Sequence, residues 1–489
     1  MKVLRRTLFL VALAALSRTA PAAFCPDPAE YLATAAWRAA GAVKWRLHGQ
    51  NHAPGQSYVA LSEQRLLSTD QLEAAWHPGL GSGEYAWQIE TVYPFPGRWQ
   101  YRETLAAEPT ASRRDGVDGF RPAPGKVLSP IRHYARLLRL IERFPALLLL
   151  TGQYQHGDNL CIVTIAHPSG EYRLWIDEAG QPKRLVRQGR DLTLGAVEEV
   201  VLYNDWERAA AAPFARRVEY RVDGKLVRRE IVDEWVIDPL PQGATAPDGA
   251  SLPLPLPSID PLDAGLAQWY LGRVAGGAPA EGFADQPVEI EPLGERLYHI
   301  TGGSHHQLLI EGIDTLAVVD APFDKRRSRA VLAALQQRWP GKPVSHLILT
   351  HHHDDHAGGF LAYIEQGAKL VVSRDGRRYF ALLLAKAGHA KPQIQVLSGA
   401  QFLALPGTRI ELLPLPNSHA EDMLIVYDHH VGVVYNSDLY SPGRPTQHPL
   451  WGREFVQQLD WLGIEQATIA GGHGRGVITL AELRAELTQ

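Results

Sequence analysis

Only two cysteines and two methionines occur in this chain of 489 residues. So few cysteines exclude a disulfide-dense scaffold and an all-thiolate metal cage, each of which needs several. Charge of either sign is also sparse: 49 Lys and Arg stand against 53 Asp and Glu, a formal net charge of −4. No basic run breaks that balance, which excludes nucleic acid as a general partner. The apolar run near the N-terminus, Leu8 to Leu16, is nine residues long, and a helix crossing a bilayer needs about 20. What the chain does have is a hydrophobic content of 45% and a length that one ordinary core does not fill, so two or three domains are expected.

The first residues read as a targeting segment rather than as part of a fold. Lys2, Arg5 and Arg6 form a basic start, Leu8 to Leu16 an apolar middle, and Ala20-Pro21-Ala22 a small-residue cleavage site. A signal peptide over residues 1–23 implies a periplasmic or secreted protein with no transmembrane anchor in its mature form. Its removal takes away Lys2, Arg5, Arg6 and Arg18 and moves the formal charge from −4 to −8. Phe24 is too bulky for a typical lipid-attachment site at Cys25. In an oxidising compartment Cys25 and Cys161 form one disulfide, or else remain two separate thiols with Cys161 buried in an apolar strand.

Three segments follow. Residues 24–239 read as an α+β domain with a curved antiparallel sheet. Asp27-Pro28 starts a helix expected to run to about Ala40, and Ile131 to Phe144 forms a second, ended by Pro145. Tyr172 to Asp177 pairs with Lys183 to Gln188. Arg216 to Val222 pairs with Lys225 to Ile237 around Asp223-Gly224, a strong hairpin signal. These late hairpins resemble the half-barrel of LolA-type periplasmic lipoprotein-carrier domains, and the resemblance implies an apolar ligand for this domain. Seven prolines between Pro239 and Pro261 mark a linker, drawn here over residues 240–287, with Asp263 to Val274 as a short helix. From Val288 strands and helices alternate to residue 487, an α/β pattern.

The chemistry is concentrated in Thr350-His351-His352-His353-Asp354-Asp355-His356. His351 and His353 project to one side of an extended segment, and Asp355 and His356 follow on the next turn. The strand Val344 to Thr350 delivers this run, and the carboxyl end of a strand is where open α/β sheets place their ligands. His419 follows the strand Arg409 to Leu413, Asp438 ends the strand Val431 to Asn436, and His473 lies among Gly471, Gly472 and Gly474.

In type and order these residues resemble the metallo-β-lactamase-fold hydrolases. The resemblance covers roughly Val288 to Leu487 and implies an αβ/βα sandwich with metals at one edge. It implies that His351, His353 and His419 hold one ion, that Asp355, His356 and His473 hold a second, and that Asp438 bridges them. Imidazole and carboxylate without thiolate suit zinc, two ions per chain. Asp355 would be catalytic, orienting a hydroxide shared by the ions for attack on an ester, lactone, amide or sulfate bond of a small-molecule substrate. An iron-dependent enzyme of the sulfur dioxygenase type is the alternative on the same scaffold. A periplasmic carrier of apolar ligands with a vestigial hydrolase domain is the non-enzymatic one. Asp438 in the bridging position separates the chain from the zinc β-lactamases and points to the glyoxalase-II-like and general hydrolase branch. An exported protein, however, is removed from cytosolic glutathione. Asp320, closing a strand, is the candidate carboxylate behind the ligands, and His305, His306 and Arg475 are candidates for substrate contact. His352 and Asp354 occupy variable positions of the motif and should point away from the metals.

Overall fold

The computed structural model describes residues 25–52, 55–93, 96–106, 110–115, 121–127, 130–157, 161–208, 212–239, 286–389, 393–443, 449–474 and 476–488, with a few positions of the proline-rich linker. The expected signal peptide, most of the linker and Arg475 lie outside the described residues. Of the helix expected from Asp263, residues 263–265 are helical and most of the remainder lies outside them.

The N-terminal part is a single antiparallel sheet of thirteen strands. Its first strand, Ala40–His52, pairs with its last, Lys225–Pro239, placing Trp45 opposite Trp235. That pairing joins two meanders, one built before and one after the helices Pro130–Arg143 and Pro145–Thr151. Burial alternates along Ala40–His52, with Val43, Trp45 and Leu47 inward, as a half-buried strand requires. The curved sheet closes on the helices. Phe144 stacks its ring 5.0 Å from Trp45 and 4.8 Å from Trp235.

The Asp223-Gly224 hairpin forms as expected, with φ of 45° and 80° at the two turn residues and Val222 opposite Lys225. The first helix does not. Asp27 caps Pro28–Tyr31 through Ala29 N, but Ala33 then adopts φ 50° and a separate turn, Thr34–Arg38, follows. The kink puts Trp37 against Phe144 and Trp235 at 5.3 and 5.4 Å, and a strand begins at Ala40, the residue to which the helix was expected to run. Tertiary burial of the indole overrides the local helical preference. Pro145 ends one helix, as expected, and opens the next at its first position.

Between helix and sheet lies a small space with charged groups in its lining. It measures about 40 Å³ and its lining includes Trp87, Arg136, Arg143 and Arg228. Each arginine is paired with a buried carboxylate: Arg136 with Glu103 at 2.8 Å, Arg143 with Glu230 at 3.1 Å, and Arg228 with Asp70 at 2.7 Å.

The C-terminal part is two sheets of seven and six strands. In the first, Glu289–Gly294 through Leu316–Val319 run antiparallel, and Val344–Ile348, Lys369–Ser373 and Ile394–Leu397 continue in parallel. The inner faces meet over Leu308, Ile310, Val319, Ile348, Leu412, Val426 and Tyr435. Helices Lys325–Arg338, Phe360–Glu365 and Arg377–Lys386 cover the outer face of the first sheet, and Pro449–Trp461 covers that of the second. The layers are therefore helix, sheet, sheet, helix. The outer layer of the second sheet shares one continuous apolar cluster with the N-terminal sheet, and Tyr93 meets Trp451 across it at 5.8 Å.

Cys25 and Cys161 are joined, with Cα atoms 5.3 Å apart and a sequence separation of 136. The pair ties the chain start to the far edge of the N-terminal sheet, and the reading as two separate thiols is corrected. Unreduced protein should show no alkylatable thiol under denaturant. Replacing both cysteines with serine should lower unfolding stability by about 2–5 kcal/mol. Stoichiometric labelling without reductant would overturn the pairing.

Candidate metal centre

The site lies where the two C-terminal sheets meet at one edge. Strand Val344–Ile348 of the first sheet feeds the loop carrying His351 and His353, and the short helix Asp354–Ala357 carries Asp355 and His356. The second sheet supplies His419 after Ile410–Pro414, Asp438 after Val433–Asn436, and His473 after Thr468–Gly471.

Two groups result. One ligand atom each from His351, His353, His419 and Asp438 lies within 4.8 Å of the others, and so do single atoms of His305, Asp355, His356 and His473. Asp438 faces both. Its Oδ2 is 2.9 Å from His419 Nε2 and 3.3 Å from His351 Nε2, while Oδ1 is 2.7 Å from His473 Nε2 and 2.9 Å from His356 Nε2. Burial alone would raise the Asp438 carboxyl, but His356, His473 and His419 outweigh it and hold the group well below the usual range.

Hydrogen bonds on the far side of each ring decide which nitrogen faces inward. His473 Nδ1 lies 3.1 Å from Ser304 O, and His353 Nε2 lies 3.0 Å from Ser57 O. A carbonyl only accepts, so those nitrogens carry the protons and the opposite ones present lone pairs. His353 Nδ1 is buried and without a hydrogen-bond partner among the described residues, the state of a nitrogen reserved for a cation. His351 Nδ1 sits 3.1 Å from Thr350 Oγ1, which donates its own proton to Asp320 Oδ1 at 2.8 Å and so accepts from the ring. His356 Nδ1 is 3.4 Å from Asp320 Oδ2. Burial pushes His353 down first, and the neighbouring His351 and His419 add to it; His419 falls to about 4, mainly by burial. Inward lone pairs, two carboxylates and no sulfur fit divalent cations of the zinc class.

Asp320 is where the sequence put it, behind the ligands. Fully buried at φ 67°, it also accepts from Thr350 N at 2.9 Å and from the Tyr435 hydroxyl at 3.3 Å. A left-handed aspartate is tolerated because its side chain is locked by these donors. Gly472 is required by proximity: a Cβ there would lie 2.9 Å from Ser437 Cα and 3.1 Å from His356 Cε1.

Two expectations need adjustment. His305 and His306 were paired as substrate contacts, yet the structure parts them. His305 joins the second group, its Nε2 3.4 Å from Asp355 Oδ2 and its ring 4.1 Å from that of His473. His306 turns inward, 3.1 Å from Gly303 O and against His299 at 4.8 Å. His352 and Asp354 do point away from the metal-binding groups, but not into solvent. His352 bonds Asp422 at 2.7 Å and Ser57 Oγ at 3.3 Å, and Asp354 accepts from Gln56 Nε2 at 3.2 Å. No signal in the sequence linked Gln56, Ser57, Arg65 or Tyr93 to this site, because they lie some 300 residues earlier, in the N-terminal sheet.

Residues 300–485 match the family model described as the metallo-beta-lactamase superfamily. That likeness is confined to the C-terminal part of the chain. Among curated proteins the chain is 26% identical over 216 residues to the 2,4-dinitroanisole O-demethylase subunit alpha of Nocardioides sp. (strain JS1661), covering 43% of this chain and 65% of that protein. It is 26% identical over 114 residues to the metallo-beta-lactamase type 2 of Bacillus sp. (strain 170), covering 23% of this chain and 41% of the other. The chain thus spans less than two thirds of these relatives. Among solved structures, a metallo-beta-lactamase from Pontibacter korlensis aligns with a TM-score of 0.35 at 18% identity, over 41% of this chain and 98% of that one. One from Hirschia baltica gives 0.34 at 18%, over 42% and 97%.

Two outcomes test the geometry of this candidate centre. Asp438→Ala should lose at least one of the bound ions and cut turnover by more than the roughly 10–100-fold that an outer partner's loss costs. A folded variant with unchanged metal content and rate would defeat the bridging role. The second outcome concerns protons. Burial would lower His356, but Asp438 and Asp320 beside it raise it well above the usual histidine value in the metal-free protein. Loading must displace that proton, so adding cation at neutral pH should release about one proton per chain from this residue. Metal affinity should weaken as pH falls; an affinity independent of pH would contradict it.

Proposed function

We propose that the protein is an exported dinuclear metallo-hydrolase, with zinc at both positions, acting on an ester, lactone, amide or sulfate bond of a small molecule. The observation that carries this reading is the Asp438 carboxylate, whose two oxygens each address a different set of histidines. When bound, a pair of such cations supplies Lewis acidity and a water acidic enough to ionise near neutral pH.

The chain's own residues do the rest. His351, His353 and His419 would hold one ion, and Asp355, His356 and His473 the other, with His305 beside them. Asp355 is the carboxylate best placed to orient the attacking water and take up its proton, since one oxygen is held by Gln56 and the other faces His305. Asp320 fixes Thr350, and through it the His351 ring. Export is supported by the Cys25–Cys161 disulfide, which suits an oxidising compartment. Among the described residues no helix is long and apolar enough to cross a membrane.

The same nitrogen and oxygen donors also accept iron, which keeps the sulfur dioxygenase reading as the alternative. A carrier function for the N-terminal domain has less support, since the space of about 40 Å³ between helix and sheet contains paired arginines and a wider hollow of about 520 Å³ on the sheet is lined by Lys44, Arg46, Glu73, Glu84 and Arg102 among others. Metal analysis of the purified protein should find two zinc per chain. A panel of chromogenic esters, lactones, sulfates, phosphodiesters and β-lactams should reveal turnover that a chelator abolishes and zinc restores. An aryl methyl ether belongs in the panel because one relative is named as an O-demethylase. One iron per chain and oxygen-dependent turnover would overturn the hydrolase reading.

A further inference from the structure

The N-terminal sheet touches the metal centre through one loop and one tyrosine. The loop, described over residues 55–65, lies between strands Ala40–His52 and Leu66–His77; the tyrosine, Tyr93, follows strand Ser82–Thr91. Gln56, Ser57 and Tyr93 are all buried. Three of their contacts land on atoms of three different metal-binding side chains.

The donor directions are mutually consistent. Gln56 Nε2 donates to Asp355 Oδ1 at 2.6 Å and to Asp354 Oδ1 at 3.2 Å. Two carboxylates on that side fix the amide nitrogen there and leave Oε1 to accept from the Tyr93 hydroxyl at 3.3 Å. A hydroxyl donating to Gln56 has its lone pairs free for His419 Nδ1, 3.4 Å away, whose ring lies nearly parallel to the tyrosine at 18°. His419 Nδ1 then carries the proton and Nε2 faces Asp438. Beside this relay the backbone carbonyl of Ser57 accepts from His353 Nε2 and turns Nδ1 inward. Arg65 clamps the same loop, donating to Ser418 O at 3.0 Å and His419 O at 2.5 Å with its guanidinium 5.0 Å over the Tyr93 ring. Gly55, at φ 68°, lets the chain turn here; a Cβ would lie 2.7 Å from the Asp354 carboxyl carbon.

We propose that the N-terminal domain is an integral part of the metal centre, with Gln56, Tyr93 and the Ser57 carbonyl as positioning groups that orient Asp355, His419 and His353. The relay Asp355–Gln56–Tyr93–His419 ties a ligand of one ion to a ligand of the other, so both sites depend on a domain that contributes no ligand itself. This rests on the dinuclear reading above. Outer partners of metal ligands act by holding rotamer and tautomer, and their loss weakens metal binding about 10–100-fold.

The test uses the full-length protein, with zinc affinity measured by chelator competition and cobalt substituted for its visible spectrum. Tyr93→Phe keeps the ring and its packing and removes only the hydroxyl. Gln56→Ala breaks the relay at its centre, and Glu63→Ala, exposed on the same loop, is the control. Both relay variants should weaken zinc binding about 10–100-fold and change the cobalt spectrum, while metal-free melting stays near that of the parent and the control behaves as the parent. Parental affinity and spectrum in Tyr93→Phe, or a lowered melting temperature with unchanged affinity, would overturn the proposal and leave a merely structural contact. A parent protein that binds no zinc or cobalt would instead sink the metal reading itself.

Discussion

Ligands drawn from two separate sheets must converge on a space a few ångströms wide, and that constraint governs the C-terminal domain. His351, His353, Asp355 and His356 hang from the end of one sheet; His419, Asp438 and His473 hang from the end of the other. Only if the sheets pack face to face with these strand ends on the same side do the side-chain atoms fall within 4.8 Å. The interior packing of Ile310, Val319, Ile348, Leu412, Val426 and Tyr435 sets that meeting. Tyr435 links the two roles, packing in this core while its hydroxyl reaches Asp320 Oδ2 and His306 O. A close-packed interior transmits displacement, so the core acts as the ruler for the metal site.

Gathering five imidazoles near a buried carboxylate raises a second demand. Each ring must be neutral and present a lone pair inward, which requires an acceptor on its outer side. The chain meets this with groups of different origin: the Ser304 carbonyl for His473, Thr350 for His351, Asp320 for His356, and groups of the N-terminal sheet for His353 and His419. Buried polar atoms without partners are costly, and His353 Nδ1 remains without one on its inner side. The inner nitrogen of His353 is thus left open where a cation would sit.

The side chains that the structure gathers into two clusters were legible in the sequence because their chemistry is written in side-chain type and spacing along one short loop and three strand ends. Asp320 was legible for the same reason, closing a strand beside the motif. His306 was not, because a turn residue next to His305 has no periodicity to say which of the two faces the cleft; the hydrogen bond to Gly303 O decides it. The broken first helix was hidden because Asp27-Pro28 is a sound start, and only the packing of Trp37 against Phe144 and Trp235 ends it early. The late hairpins were visible from Asp223-Gly224 alone, whereas the pairing of the first strand with the last is a contact across about 190 residues that no local pattern encodes. Gln56 and Tyr93 belong to this last kind.

The charged interior of the N-terminal sheet makes sense beside that loop. Asn51 ends the strand that enters it, and Ser68 and Asp70 lie on the strand that leaves it. Asn51 donates to Asp70 Oδ1 at 2.5 Å and to Ser68 at 3.3 Å, and Arg228 on the neighbouring strand binds both Asn51 and Asp70. Arg228 also holds Glu230 at 2.6 Å, which in turn pairs with Arg143 of the enclosed helix. Paired buried charges add little net stability, but breaking one partner costs about 3–5 kcal/mol, so their geometry is rigid. This network fixes the ends of both strands that flank the loop to the sheet and to the helix. A loop that must place an amide and a carbonyl within hydrogen-bond distance of metal-binding side chains needs such stems. The buried ion pairs and the metal centre are therefore two ends of one continuous polar framework.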